Sequence, residues 1–150
     1  MNELNKEHIP YLIIDGHSII FAWKNLRALH DNSQLAAREE LIRKMTSYQD
    51  CTGERVIIVF DGKGTKTESH YEQDGIQVFF SKKGVSADQI IERLVGKYGR
   101  KKKITIASRD KAVLDTCSSF GALAISPNSL KESILSVAEK LSKKTIWWIK

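Results

Sequence analysis

The sequence predicts an α/β domain built on a mainly parallel central sheet, and three observations carry that prediction. Five short apolar runs, "YLIID", "RVIIVFD", "IQVFF", "KITIA" and "ALAI", are rich in Ile and Val, the pattern of strands buried on both faces. Amphipathic stretches stand between most of them, giving the alternation that builds parallel sheets through right-handed crossovers. The chain has 150 residues, 41% hydrophobic and 28% charged, which suits one domain with a full-sized core.

The first strand is expected at residues 11–15. A helix follows over 33–50, with Ala37, Leu41, Ile42, Met45 and Tyr48 on one face and Thr52-Gly53 as its stop. The second strand spans 55–61. The segment that follows, "DGKGTKTESHYEQDG", is polar and contains three glycines, so it is expected to be a flexible loop. A strand at 76–80 leads to "SADQIIERLVGKY", where Ser86 and Gln89 form a capping box. A strand at 103–107, a helix at 110–119, a strand at 122–125 and a helix at 129–142 complete the series. The tail at 143–150 is basic and aromatic, and Trp147 and Trp148 are assigned to covering the core or a partner. There is no internal repeat or low-complexity segment, and residues 1–150 are read as one domain.

Composition excludes several classes. No apolar run reaches the length of a membrane span. The opening "MNELNKEHIP" lacks a signal peptide's apolar core, so a cytoplasmic protein is expected. Cys51 and Cys117 form neither a disulfide framework nor a metal-ligand pattern and are read as free thiols. The net charge of +6 fits either a solvated basic surface or attraction to nucleic acid. Oligomeric state is not legible.

Acids recur where the strands end. Asp15 and Asp61 close apolar runs, and Asp110 follows "ITIASR". In an open parallel sheet, ligands bind beyond the carboxyl ends of the strands. Asp88, in the first turn of the helix after strand 76–80, falls on the same edge, and Glu92 shares its helix face one turn on. Carboxylates crowded together repel one another unless a cation compensates. Mg²⁺ or Mn²⁺ suits such an oxygen-only set, and can orient a phosphodiester and activate water. Each acid also has a plain structural role. Asp61-Gly62 makes a turn, Asp110 a helix cap, and Asp88 a partner for the helix dipole. Ser18 and Ser108 stand beside the cluster as hydrogen-bonding hydroxyls or as caps.

Taken in order, "LIIDGHSII", "RVIIVFDGKG", "SADQIIERLV" and "ITIASRD" resemble the motifs of the YacP-like branch of NYN-domain proteins, which are PIN-like ribonucleases. The resemblance runs over residues 11–135. It implies a PIN-like three-layer α/β/α fold and metal-dependent endonucleolytic cleavage of RNA, with Asp15, Asp61, Asp88 and Asp110 as the acidic positions. The first motif usually reads Asp-Gly-Tyr-Asn and here reads Asp15-Gly16-His17-Ser18. The fourth usually reads Thr-Ser-Asp, whereas Ser108 here is separated from Asp110 by Arg109.

A haloacid dehalogenase-type phosphatase, suggested by "VFDGKGT", would need a second Asp where Lys63 stands. The reading that remains is a Mg²⁺- or Mn²⁺-dependent endoribonuclease hydrolysing single-stranded RNA such as mRNA, ribosome-associated mRNA included. Lys63, Lys66, Lys82, Lys83, Arg109 and Lys111 follow strand ends and are assigned to RNA phosphates. The denser "GRKKK" run at 99–103 falls at the opposite edge. The alternative is a catalytically inactive PIN-like module that binds RNA or a protein.

Overall fold

The computed structural model describes residues 8–62, 64 and 66–149, with side chains described as far as residue 142. The elements run β1 (Tyr11–Asp15), α1 (Gly16–Ala22), α2 (Lys24–Asn32), α3 (Gln34–Thr52), β2 (Arg55–Phe60), β3 (Ser69–Gln73), β4 (Ile76–Phe80), α4 (Ala87–Tyr98), β5 (Ile104–Ala107), α5 (Lys111–Ser119), β6 (Leu123–Ile125) and α6 (Pro127–Ile149). Six strands form one sheet in the order β3-β4-β2-β1-β5-β6. All neighbours are parallel except β3 and β4.

Strand periodicity explains the layers. Successive side chains point to opposite faces, so a strand buried on both sides feeds two cores. Leu12 and Ile14 of β1 join Val56, Ile58 and Phe60 of β2 in a core closed by Leu26, Leu41, Met45 and Leu130 from α2, α3 and α6. Ile13 and Val59 face the other way, onto Ile90, Ile91, Val95, Val113 and Cys117 of α4 and α5. The result is a three-layer α/β/α sandwich. The ends of α4 follow its sequence closely, because Ser86 and Gln89 make both hydrogen bonds of the expected capping box.

The expected loop at 61–75 is a correction. Residues 69–73 form β3, an antiparallel edge strand with Gln73 paired to Ile76. Asp74 and Gly75 connect it to β4 with φ of 52° and 89°, the left-handed pair of a two-residue hairpin turn. The preceding segment is tied down as well: Gly62 N–H donates to Ser81 Oγ at 3.0 Å, and Arg93 pairs with Glu68 at 2.9 Å. Two further differences concern helices. Residues 16–32 form α1 and α2, which were not foreseen, and α6 runs past residue 142 to Ile149. The side chains of Trp147 and Trp148 lie outside the described residues, as does Lys63. No helix among the described residues is long and apolar enough to cross a membrane.

Candidate active site

The chain leaves β1 for β2 on one side of the sheet, and later places β5 on the other side of β1. The crevice between β1 and β5, where the order reverses, is where open α/β sheets bind ligands. Asp15 ends β1 at that point and Ser108 directly follows β5.

Asp15 is 7% exposed. It occupies the N-cap position of α1, where the Ser18 N–H favours its charged form. Its carboxylate Oδ2 also accepts a 2.9 Å hydrogen bond from Ser108 Oγ. Ser108 Oγ also accepts from Asp110 N–H at 3.0 Å and lies 3.4 Å from Ser18 Oγ. Ser18 Oγ in turn accepts Arg109 N–H at 2.5 Å. Both serines are buried, so two hydroxyls bind the end of β1 to the turn after β5.

Gly16 makes the turn out of β1 compatible with the core. A Cβ at that position would lie 2.3 Å from Phe60 Cε1 and 2.4 Å from Cδ1, and Phe60 is fully buried. The glycine of the Asp-Gly pair is therefore set by the close approach of β2's last side chain.

The remaining acids converge electrostatically. Asp61 follows β2, and its backbone N–H donates to His17 Nδ1 at 3.4 Å. Asp88 stands in the first turn of α4. An open cleft of ≈ 540 Å³ is lined by Asp15, His17, Phe21, Asp61, Ser86, Ala87 and Asp88. Burial is the main cause that raises the Asp15 carboxyl to about 6; the charges of Asp88 and Asp110 add to it, and the hydrogen bonds from Ser108 and Ser18 N–H oppose it. Asp88 is raised as well, by burial first and then by Asp110 and Asp61. Asp110 does cap α5, with Oδ1 accepting Ala112 N–H at 2.9 Å. The structural and the electrostatic roles coexist there.

Glu92 is not among the residues lining the cleft; it acts with Asp88 on buried Cys117, whose thiol burial chiefly pushes up to about 11. Among the described residues, no group of three His, Cys, Asp or Glu side chains is arranged so that it could hold a metal ion. Lys66, Lys82, Lys83, Arg109 and Lys111 are exposed at or near the carboxyl edge, whereas Lys102 and Lys103 stand at the opposite edge, where Lys103 C=O accepts Tyr11 N–H. A second, mostly apolar cavity of ≈ 250 Å³ lies at that opposite edge, lined by Tyr11, Leu94, Tyr98 and Lys102 among others. Its lining contains no acid. Neither Phe21 nor His17 was marked as a site residue by the sequence. The available signal was their i, i+4 spacing, which puts both on one face once α1 begins at Gly16.

A three-layer α/β/α sandwich with acids gathered at its switch point has the architecture of a PIN-like domain. The chain belongs to the YacP-like NYN domain family, whose model matches residues 12–147. It is 33% identical over 135 residues to the YacP protein of Bacillus subtilis (strain 168), covering 89% of this chain and 79% of that protein. The crystal structure of Rae1 (YacP) from Bacillus subtilis superposes with a TM-score of 0.74 at 31% identity, covering 90% of this chain and 79% of that one. A mutant form of the same protein gives a TM-score of 0.79 at 30% identity, covering 93% and 83%. Family membership supports a ribonuclease role.

Proposed function

We propose that this chain is a metal-dependent endoribonuclease that hydrolyses phosphodiester bonds within single-stranded RNA, mRNA included. The observation that carries the reading is a buried Asp15, held by Ser108 and sharing one cleft with Asp61 and Asp88. Burying a carboxylate among other carboxylates is unfavourable unless a cation neutralises them in the working state.

The donor set fits Mg²⁺ or Mn²⁺. Its oxygens are hard ligands, and Mg²⁺ commonly takes only one or two carboxylates directly while keeping several waters. Asp15, Asp61, Asp88 and Asp110 would hold the cation, which supplies Lewis acidity toward the phosphodiester and activates water. Ser108 fixes one oxygen of Asp15, so the carboxylate is presented in one orientation. Ser18 holds the Arg109 backbone, and with it the start of α5 that carries Asp110. Lys63, Lys66, Lys82, Lys83, Arg109 and Lys111 would neutralise the phosphates on either side of the cleaved bond.

A circular single-stranded RNA, which has no ends, tests this reading. Linearisation that requires Mg²⁺ or Mn²⁺ and stops with EDTA is the expected result. RNA that is bound but stays circular with either metal would establish the inactive RNA-binding module instead.

A further inference from the structure

One wall of the acidic cleft is neither acidic nor polar. Phe21, half-buried on α1, lines the cleft beside Asp15, Asp61 and Asp88. The Arg109 guanidinium carbon lies 5.5 Å from its ring centroid. His17 stacks on the ring at 6.3 Å between centroids with 26° between planes, and His30 meets it edge-on at 4.8 Å. We propose that Phe21 and Arg109 form the platform on which one unpaired base of the substrate stacks beside the carboxylates. This rests on the ribonuclease reading and names the part of the RNA that the cleft grips.

Every base has an apolar π face that stacks on aromatic rings and guanidinium planes, and Arg adds attraction to the neighbouring phosphate. A base inside a duplex is already stacked on both sides and cannot use such a surface. The platform therefore selects a single-stranded nucleotide, whereas the acids alone would accept any phosphodiester that reached them.

Its position is fixed relative to the chemistry. Arg109 N–H is held by Ser18 Oγ, Ser18 touches Ser108, and Ser108 holds Asp15. Phe21 is anchored by its neighbours on α1 and by His30 of α2. A base on this surface would thus be set in register with the reacting phosphate. Covering His30 would alone explain an apolar ring at position 21, but not an exposed guanidinium set over that ring. The stacking surface itself should favour bases by stacking area, purine over pyrimidine.

The test uses full-length protein and a short single-stranded oligoribonucleotide in which an abasic site is moved one position at a time. Binding is measured by fluorescence anisotropy, and cleavage is followed separately in Mn²⁺. One abasic position should weaken binding roughly 5- to 100-fold, the range expected for one base stacked on an aromatic side chain. Phe21→Leu should lose a similar factor on intact RNA and nothing further on that abasic RNA, and Phe21→Tyr should restore it. Arg109→Lys, which keeps the charge but not the plane, should lose part of it. Phe21→Leu that binds and cleaves like wild type refutes the platform while leaving the ribonuclease reading intact. So does an equal loss on intact and abasic RNA. Wild-type protein that neither binds nor cleaves any RNA overturns both.

Discussion

Ser108 Oγ donates to Asp15 Oδ2 at 2.9 Å while accepting Asp110 N–H at 3.0 Å, so one buried hydroxyl joins the acid that ends β1 to the acid that caps α5. That hydroxyl is the strongest influence opposing the effect of burial on Asp15. Ser108→Ala should therefore move the Asp15 carboxyl further above 6, and the acid limb of the pH–rate profile should shift upward with it. Stability should fall by about 1–3 kcal/mol at neutral pH, since a buried carboxylate and a part-buried N–H both lose a partner. An acid limb at the wild-type position would show that Asp15 does not control it.

Asp15 also gives the stability a pH dependence of definite sign. Its folded pKa, about 6, lies above the usual 3.8, so the folded state holds this proton more tightly than the unfolded chain does. Its ionisation therefore lowers stability as pH rises from about 4 to about 6. Asp15→Asn should stabilise the metal-free protein by about 2–3 kcal/mol above pH 6, a gain that shrinks to nothing near pH 4. Urea denaturation at pH 4 and pH 7.5 measures the difference. A constant difference at both would mean that the effect is not ionisation.

Gly16→Ala should be costly although alanine favours helices. The added Cβ meets the ring of fully buried Phe60, which has little room to give, so a loss of about 1–3 kcal/mol is expected from overpacking. The double variant Gly16→Ala, Phe60→Leu should recover part of that loss in the same denaturation assay. No recovery would place the strain elsewhere.

The two basic groups should behave differently. Replacing Lys82, Lys83 and Arg109 by Gln should weaken binding of a short oligonucleotide and lower its salt slope by about one per lost phosphate contact. The same change at Arg100, Lys101 and Lys102 acts from the opposite edge, where screening beyond roughly 8 Å suppresses it. A greater loss from the second triple would mean that the RNA runs along the amino edge.

The parallel core was legible in the sequence because β1, β2 and β5 are largely buried and rich in Leu, Ile and Val. β3 was hidden for the opposite reason. "SHYEQ" is an edge strand with four of its five residues exposed, so no apolar alternation marks it. The available signal was Asp74-Gly75, a two-residue hairpin sequence directly before an apolar strand. α1 and α2 were obscured because the β1 pattern runs into α1 without a break: "YLIIDGHSII" contains apolar residues of both elements, and only Gly16 divides them. The acids were legible from their place at strand ends. The Ser18–Ser108 contact was not, because residues 90 positions apart meet only when β1 and β5 pair.

The central claim is that Asp15 works in metal-dependent RNA hydrolysis. Its most direct test is the single-turnover cleavage rate of one labelled single-stranded RNA in Mn²⁺, for wild type and for Asp15→Asn at equal folded concentration. A wild-type rate abolished by EDTA and a variant rate lower by at least about 100-fold are expected, the scale of losing one group that acts at the reacting centre. A variant that cleaves at the wild-type rate under the same metal dependence would contradict that claim.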